Sequence, residues 1–166
     1  VDCFRGEETN VYKRFLDAIK NSEASVILRI TADCPLIDPV LVDKIIRDFL
    51  SKDVDYVSNV DPPFFPDGMD VEVIDRNCLE NNYSSNLSKY HLEHVTSYIR
   101  ESKKFSKSNF ENEKDYSYIR LTLDEKIDLE VINSIFKYFQ PDIYFSLEEI
   151  IDLYKKNKSL FKNIDL

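Results

Sequence analysis

Short apolar runs and longer helical stripes alternate along the chain. Residues 25–30 are dense in β-branched and aliphatic side chains, a pattern typical of a strand buried on both faces. Asp38 then offers an N-cap oxygen, and Pro39 suits the first helical position, where no N–H is needed. The stripe that follows has helical spacing and consists of Val42, Ile45, Ile46, Phe49 and Leu50. The pattern therefore predicts a strand, a loop and a helix.

Similar patterns predict the remaining elements. The other expected helices lie over residues 10–21, 76–83, 91–103, 126–139 and 146–156. The other expected strands lie over residues 54–60, 69–74 and 118–123, with a weak strand or loop over 105–113. A capping box at Ser146 and Glu149 marks the start of the last helix. Because no linker or repeat interrupts these elements, the sequence predicts one α/β layered domain over residues 1–166.

Composition narrows the classes of function. The 166 residues are 43% hydrophobic and 32% charged, which is ordinary for a globular protein. The net charge of −9 argues against a general nucleic-acid binder, because that function needs a clustered basic surface. No apolar run of about 18 residues and no signal-peptide pattern is present, so we expect a soluble cytoplasmic protein without membrane contact. Cys3, Cys34 and Cys78 are scattered, which fits reduced thiols better than disulfides or a zinc site.

Two acids stand just past predicted strands. Asp33 follows the first strand, and Asp124 follows the strand over 118–123. If both strands run parallel in one sheet, both carboxylates point into the crevice outside the strand ends, where ligands collect in open α/β sheets. Two carboxylates there suit Mg²⁺, which completes its shell with water and phosphate oxygens. Alternatively, Asp33 only turns its loop. Asp128 is more simply a first-turn acid favoured by the helix dipole.

The segment over residues 66–72 holds further acids. Asp67 and Gly68 are a turn signal, and a tight turn entering a strand would explain them. Asp70 and Glu72, however, share one face of an extended segment, because strand side chains alternate. Two acids on one face are unfavourable unless they are solvated or bind something, and sugar hydroxyls or a cation would suit them. The pattern leaves both interpretations open.

The remaining motifs carry less chemistry. His91 and His94 are spaced to ligate a metal from one helix, but without a third ligand the pair favours a surface or structural role. No nucleophile-elbow sequence supports a hydrolase triad. Gly6 and Gly68 are the only glycines, so neither a G-x-G-x-x-G fingerprint nor a Walker loop exists in this sequence. A bound nucleotide would need its phosphates held by a metal or by a loop outside this sequence.

Five motifs in order resemble those of bacterial cytidylyltransferases of the spore-coat-polysaccharide type, which are relatives of the CMP-sugar-acid synthetases. The motifs are RITADCPLIDP at 29–39, DYVSN at 55–59, PDGMDVEV at 66–73, EHVTSYIR at 93–100 and RLTLD at 120–124, the last followed by Asp128-Leu129. They cover nearly the whole chain, and five ordered motifs are far more specific than any one of them.

The resemblance implies a Rossmann-like three-layer fold of the nucleotide-diphospho-sugar transferase type, with a mostly parallel sheet. It implies transfer of a cytidylyl group from CTP to a sugar or sugar acid, with release of pyrophosphate, in surface polysaccharide biosynthesis. Asp33 and Asp124 would hold Mg²⁺ at the α-phosphate. The positions expected to contact substrate are Arg29, Asp67, Gly68, Asp70, Glu72, Glu93, His94 and Arg120. The motifs identify neither the acceptor sugar nor a general base, and they leave a homodimer open.

Two departures from the family pattern leave other functions open. Ala32 stands where members usually carry glycine, next to the expected metal ligand. The Arg- and Gly-bearing loop that grips CTP in the family has no counterpart, so we expect an N-terminally incomplete domain that binds CTP poorly alone. A non-catalytic sugar- or nucleotide-binding module is one alternative, and a glycosyltransferase of related layout is another. A glycosyltransferase normally places an Asp-x-Asp pair at a strand end, whereas Asp53-Val54-Asp55 precedes a strand.

Overall fold

The computed structural model describes residues 2–163 and is built around a four-stranded sheet. The strands are β1 (Val26–Arg29), β2 (Tyr56–Ser58), β3 (Glu72–Asp75) and β4 (Lys107–Asn109). Their order in the sheet is β1-β3-β2-β4. Strand β3 pairs antiparallel with β1 and β2, whereas β4 runs parallel to β2. The α/β class is confirmed, but among the described residues the sheet is mixed and lacks the expected predominance of parallel pairs.

Helices cover both faces of this sheet. Those in the described part of the chain are α1 (Val11–Ile19), α2 (Pro39–Leu50), α3 (Arg76–Asn82), α4 (Lys89–Glu93), α5 (Ser97–Glu101), α6 (Lys126–Phe139) and α7 (Leu147–Lys156). The predicted caps of α2 and α7 are confirmed. Asp38 accepts from the N–H groups of Val40 and Leu41, and Ser146 and Glu149 form the capping box. Across residues 2–163, none of the helices combines the length and apolar character needed to cross a membrane.

Alternate strand residues point to opposite faces, so the sheet separates two hydrophobic clusters. Val57 and Val73 pack with residues of α2, α6 and α7 on one face. Tyr56 and Ile74 pack with residues of α1, α3 and α5 on the other, where Tyr12 is fully buried. The expected three-layer arrangement is therefore present.

Two predicted strands differ from the structure. Strand β1 is at the edge of the sheet, and Leu28 and Ile30 are each 37% exposed, so the prediction of burial on both faces is wrong. The strand predicted over 118–123 is also wrong, because this segment contributes only an isolated parallel bridge between Asp67 and Arg120. Ile119 and Leu121 are fully buried without strand pairing, and a local pattern does not reveal which strands lie at an edge.

The helix predicted over residues 91–103 is two short helices. Helix α4 ends at Glu93 and α5 begins at Ser97. Between them Val95 has a φ of 44°, in the left-handed region that a β-branched residue rarely adopts. The Val95 side chain is fully buried in the core. The helical spacing of the apolar residues gave no sign of this break.

Candidate active site

The loop after β1 meets the loop before α6 through main-chain atoms. The N–H of Leu123 donates to the main-chain oxygen of Asp33 at 2.8 Å. The Thr122 hydroxyl donates to the same oxygen at 3.3 Å. Asp124 directly follows this junction. Although residues 118–123 form no strand, loop-to-loop pairing brings together the two acids that the sequence predicted to act jointly.

Arg120 links three carboxylates beside this junction. Its Nε and Nη2 donate to the two oxygens of Asp128 at 3.0 and 2.9 Å, in a forked pair. Nη2 also donates to Asp124 at 2.8 Å, and Nη1 donates to Asp67 at 3.2 Å. The hydrogen bonds to Asp128, more than any other contact, raise the pKa of Arg120. Every guanidinium nitrogen is therefore engaged with a carboxylate.

Asp128 is fully buried beneath this contact. It accepts from Asn163 Nδ2 at 2.8 Å and from the main-chain N–H groups of Asp124 and Glu125 at 3.0 and 2.8 Å. These hydrogen bonds, led by the one from Arg120, hold the pKa of Asp128 well below its usual range. Sequence reasoning treated Asp128 as a first-turn acid and missed its contacts with Arg120 and Asn163, which are not visible in the helical pattern.

Four acids gather here, and we call them the acidic edge: Asp33, Asp67, Asp70 and Asp124. The pKa of Asp67 is raised, chiefly by partial burial and also by the neighbouring acids, although the charge of Arg120 acts in the opposite direction. Partial burial, followed by the charges on Asp67 and Glu72, raises the pKa of Asp70 to about 6, although part of the residue stays open to solvent. The region therefore carries concentrated negative charge, which favours a cation.

The donor set of the acidic edge fits Mg²⁺. Asp33 contacts Cys34 through one carboxylate oxygen, and Asp124 contacts Arg120 and Thr122 through one oxygen, so each leaves its other oxygen without a partner in the described residues. Mg²⁺ commonly takes one or two protein carboxylates. Within residues 2–163, no group of three or more His, Cys, Asp or Glu side chains is placed to hold a metal ion. A metal here would complete its shell with oxygens of water or substrate.

Gly68 sets the path of the segment that crosses the acidic edge. Its φ is +94°, and a Cβ there would lie 2.6 Å from main-chain atoms of Leu121 and Thr122. The adjacent Asp67 donates its N–H to the oxygen of Ile119 at 2.9 Å and accepts from the N–H of Leu121 at 2.7 Å. Only glycine permits this close approach in this conformation. The structure thus gives Gly68, a predicted substrate contact, a main-chain role.

A second buried carboxylate, Glu72, lies in β3. It pairs with Arg29, accepts from Tyr56 Oη at 2.6 Å and from Thr96 Oγ1 at 2.7 Å, and lies 4.0 Å from Arg100 Nε. We call these five residues the Glu72 cluster. Burial, followed by the charge of Glu72, raises the pKa of Tyr56, so its hydroxyl remains a donor. Because Glu72 is 3% exposed and both its oxygens are occupied, it shapes the site and does not offer oxygens to a ligand.

A cavity of about 100 Å³ opens beside the Glu72 cluster. Its lining consists of Arg29, Thr31, Val60, Asp70, Glu72 and Arg100. Asp70 and Glu72 both line it, as expected for residues on one face of an extended segment. The guanidinium groups offer donors and Asp70 offers acceptor oxygens, a combination that suits hydroxyl groups. Arg100 was not among the predicted site residues, although it ends the motif at 93–100 and so could have been found there.

The predicted glutamate and histidines lie apart from this cavity. Glu93 and His94 are exposed at the end of α4, and neither lines the cavity. The His94 ring packs on Tyr90, with ring centres 4.5 Å apart. His91 Nδ1 lies 2.9 Å from Ser97 Oγ. The Tyr90 ring also lies 5.6 Å from the ring of His91, and the two histidines belong to no group of three or more possible metal ligands in the described part of the chain.

The Asp-x-Asp sequence before β2 has a structural contact. Asp55 accepts from the main-chain N–H and from the hydroxyl of Ser106, each at 2.8 Å. Its own N–H donates to the main-chain oxygen of Ser106 at 3.0 Å. These bonds join the start of β2 to the chain entering β4. Asp55 therefore fixes the pairing of two strands at the end of the sheet opposite to where an Asp-x-Asp metal site would be expected.

The three cysteines are free thiols. Cys3 is exposed, whereas Cys34 and Cys78 are buried. Cys34 contacts Thr31 and Asp33, and burial raises the pKa of its thiol to about 11. A thiol held in the protonated form is a poor nucleophile. Cys34 therefore packs the loop that carries Asp33 and does not act in covalent chemistry.

Comparison with known proteins links this geometry to one family. A family model described as cytidylyltransferase matches residues 1–165. The uncharacterized protein MJ1063 of Methanocaldococcus jannaschii is 35% identical over 168 residues, covering 99% of this chain and 67% of that protein. The spore coat polysaccharide biosynthesis protein SpsF of Bacillus subtilis is 34% identical over 161 residues, covering 93% of this chain and 65% of that protein.

A solved structure gives the same result. The structure of a cytidylyltransferase from Leptospira borgpetersenii serovar Hardjo-bovis (strain JB197) matches with a TM-score of 0.91 at 35% identity. The match covers 96% of this chain and 68% of that chain. The present chain thus spans about two thirds of the length of these three proteins. The likeness confirms the nucleotidyltransferase fold expected from the motifs.

Proposed function

The chain belongs to the cytidylyltransferase family, and we propose that it takes part in Mg²⁺-dependent transfer of a cytidylyl group from CTP to a sugar or sugar acid. The product serves surface polysaccharide biosynthesis, which is supported by the Bacillus subtilis relative, a protein named for spore coat polysaccharide biosynthesis. The observation that carries the proposal is the pairing of the two loops, in which Leu123 and Thr122 both donate to Asp33 and so bring Asp124 beside it.

Asp33 and Asp124 are the residues that would hold Mg²⁺ in this proposal. When bound, the ion supplies charge neutralisation at the α-phosphate and orients it for in-line displacement. The negative charge of the acidic edge attracts the cation. The nucleoside triphosphate, which is itself an anion, enters once the cation is bound. Without the ion, four carboxylates would repel the phosphates, and the site would not accept CTP.

The transfer itself is a displacement at phosphorus. A hydroxyl oxygen of the acceptor forms a bond with the α-phosphorus of CTP, and the bond from that phosphorus to the oxygen bridging to the β-phosphate breaks. Pyrophosphate leaves with the electron pair, and the proton of the hydroxyl passes to a nearby base or to water. No covalent intermediate with the protein is required, so the contribution of the chain is positioning and charge.

The acceptor sugar would occupy the cavity beside the Glu72 cluster. Asp70 is free to accept hydrogen bonds from hydroxyl groups, and Arg29 and Arg100 are held in place by Glu72 to donate them. The cavity holds about 100 Å³, enough for part of a sugar ring with the rest extending toward the acidic edge. This arrangement would place an acceptor hydroxyl and the α-phosphate on neighbouring loops.

Pyrophosphate release from CTP tests the proposal. The gene product is assayed with Mg²⁺ and a panel of neutral and acidic sugars, and release is expected only when nucleotide, metal and acceptor are all present. Asp33→Asn and Asp124→Asn should each abolish Mg²⁺-dependent release, because each removes one anionic ligand. Full rates in both variants would show that the metal is held elsewhere.

Asp53→Asn is the matched control and also tests the glycosyltransferase alternative. Asp53 is an exposed acid in the loop before β2, outside the acidic edge. Cytidylyl transfer should be unchanged in this variant. Release of a nucleoside diphosphate from a nucleotide sugar, lost in Asp53→Asn, would instead favour the glycosyltransferase. Binding of CTP or sugar without any turnover would favour the non-catalytic module.

A further inference from the structure

We propose that Arg120, anchored by Asp128, is a positioning residue that fixes the Asp124 carboxylate at the acidic edge and does not bind substrate. The inference rests on the proposed function, because it concerns the same edge of the sheet. It assigns a role to Asp128 and replaces the expectation that Arg120 contacts a substrate.

The hydrogen bonds of Arg120 leave it little capacity for a phosphate. Its three guanidinium nitrogens contact Asp67, Asp124 and Asp128 at 2.8 to 3.2 Å. One positive charge therefore faces three negative charges, and the group as a whole is anionic. A guanidinium has five N–H donors, and four of them already donate to carboxylates, so Arg120 keeps one N–H on Nη1 and no surplus of positive charge for a phosphate.

The three carboxylates differ in burial, so they differ in how firmly they are held in place. The Asp128 side chain is 0% exposed, whereas those of Asp67 and Asp124 are 46% and 50% exposed. The forked contact therefore ties Arg120 to the buried member. The two exposed carboxylates, which would otherwise rotate freely in water, are then held by the remaining N–H groups.

Asp128 also contacts the main chain of Asp124 directly, without Arg120. Its Oδ2 accepts from the main-chain N–H groups of Asp124 and Glu125, so it fixes the backbone of the residue whose side chain Arg120 orients. Asn163 Nδ2 donates to the other oxygen, Oδ1, which also accepts from Arg120 Nε. Groups that orient a metal ligand in this way commonly change metal affinity when they are altered.

The chain contains a matched control in Asp38. Like Asp128, Asp38 is a buried carboxylate at a helix start, and it accepts main-chain N–H groups from α2 and from Leu147 of α7. Asp38 has no contact with Arg120 or with the acidic edge. Asp38→Asn therefore reproduces the loss of a buried helix-capping charge and leaves intact the contacts from Asp128 through Arg120 to Asp124, which we call the clamp.

The test compares Mn²⁺ binding, measured by electron paramagnetic resonance, in the parent protein, Asp38→Asn and the double variant Arg120→Met/Asp128→Asn. The double variant removes one positive and one negative charge, so the net charge near the metal is unchanged. Only the hydrogen bonds that hold Asp124 in place are lost. We expect its dissociation constant for Mn²⁺ to rise about tenfold or more, with Asp38→Asn unchanged. Parent-like affinity in the double variant overturns the proposal.

Circular dichroism melting shows whether the double variant folds. If it does not, Arg120→Lys replaces it, since lysine keeps the charge but cannot form the fork. The expected loss of Mn²⁺ affinity is then the same, and parent-like affinity in Arg120→Lys is again contrary to the proposal. The comparison therefore stands with either variant.

A metal-independent measurement separates this proposal from the proposed function. In the parent without metal, the Nε–H of Arg120 should exchange slowly enough to be seen by nuclear magnetic resonance. The signal should persist in Asp124→Asn, because the anchor is intact, and disappear in Asp128→Asn. If the parent binds no Mn²⁺ but this pattern holds, the metal proposal fails and the clamp stands. Equal signals in Asp124→Asn and Asp128→Asn overturn the clamp.

Discussion

Two buried carboxylates, Glu72 and Asp128, organise the two halves of the candidate site in different ways. Glu72 takes its partners from three parts of the fold: Arg29 in β1, Tyr56 in β2, and Thr96 and Arg100 at α5. Asp128 takes most of its partners from nearby in the sequence, namely Arg120 and the main chain at the start of its own helix. One carboxylate is satisfied by the tertiary fold and the other mainly by a local loop.

The difference bears on what each half of the site can do. The partners of Glu72 are walls of a cavity, so the Glu72 cluster sets a shape for an acceptor. Arg120, the chief partner of Asp128, donates to the exposed carboxylates of Asp67 and Asp124. We call these four residues the Asp128 cluster, and it sets the positions of the charges that would face a cation. Substitutions in the two clusters should therefore affect different binding steps, although both cost stability.

Gly68→Ala should have the largest effect, because Gly68 lies on the segment between the two clusters. A Cβ would meet the main chain of Leu121 and Thr122 at 2.6 Å, and the φ of +94° is unfavourable for alanine. We expect a loss of about 4 kcal/mol of unfolding free energy, since main-chain atoms cannot move aside as a flexible side chain can. Urea denaturation followed by circular dichroism measures it.

Gly6→Ala is the control for this substitution. A Cβ at Gly6 would meet only side-chain atoms of Arg14 and Phe4, at 2.9 to 3.3 Å, and Gly6 is exposed and lacks the left-handed φ of Gly68. It should cost far less stability than Gly68→Ala. Similar losses in the two variants would contradict the view that the close main-chain approach at Gly68 is what holds the segment in place.

Glu72→Gln should come next. The glutamine keeps an acceptor for Tyr56 and Thr96 but leaves two guanidinium groups without their shared counter-charge. Breaking a buried ion pair from one side commonly costs about 3 kcal/mol. We also expect weaker binding of the acceptor sugar with unchanged Mn²⁺ affinity, measured by calorimetry.

Asp128→Asn provides the opposite pattern, with weaker Mn²⁺ binding and unchanged binding of the sugar. The two variants together test whether the clusters are separate. If each variant weakened both ligands equally, the site would behave as one coupled network and the comparison between the clusters would not hold.

Much of the fold could be predicted because its signals are local. Caps at Asp38 and Ser146 and the bounds of α6 at 126–139 depend on residues within one or two helical turns. The mixed sheet could not be predicted in this way, because β1 and β3 pair through residues more than forty positions apart, such as Arg29 and Glu72. Strand direction is a property of the whole fold, and a local alternation of residues does not contain it.

The candidate site was predicted in the same uneven way. Asp33 and Asp124 were predicted as metal ligands because each follows an apolar run, and that role stays a prediction. The structure does bring their loops together, although by irregular pairing and not by two parallel strands. The burial of Glu72 and of Asp128 was not predicted. A carboxylate is expected at the surface unless its partners are known, and those partners come from folding.

Thr96→Val should reduce the free energy of unfolding by less, because it removes only one hydrogen bond of the Glu72 cluster. The substitution keeps the shape of the side chain and removes one hydroxyl donor to Glu72 Oε1, which still accepts from Tyr56 at 2.6 Å. Loss of one such bond should cost about 1 kcal/mol by urea denaturation. Tyr56→Phe removes the other donor to the same oxygen and should cost a similar amount; a much larger loss in Thr96→Val would mean that its role is not confined to this bond.

Asp70→Asn should have the smallest effect, and its sign depends on pH. The pKa of Asp70 is raised to about 6 in the folded protein, above the value of about 4 for an unfolded chain. Between these values the folded state holds the proton more firmly than the unfolded state, so stability is highest at low pH and is lost as the pH rises through about 6. The Asp70→Asn substitution removes this loss of stability.

The urea midpoint of Asp70→Asn should therefore exceed that of the parent at about pH 8, and the difference should shrink toward about pH 4. Because Asp70 is partly open to solvent, the gain should be modest. The pKa of Asp128 is lowered in the folded protein, so this carboxylate stabilises the fold only above its pKa. The difference in urea midpoint between the parent and Asp128→Asn should therefore shrink as the pH falls below about 4. Parallel pH profiles for the parent and Asp70→Asn would mean that neither burial nor the neighbouring acids raise the pKa of Asp70.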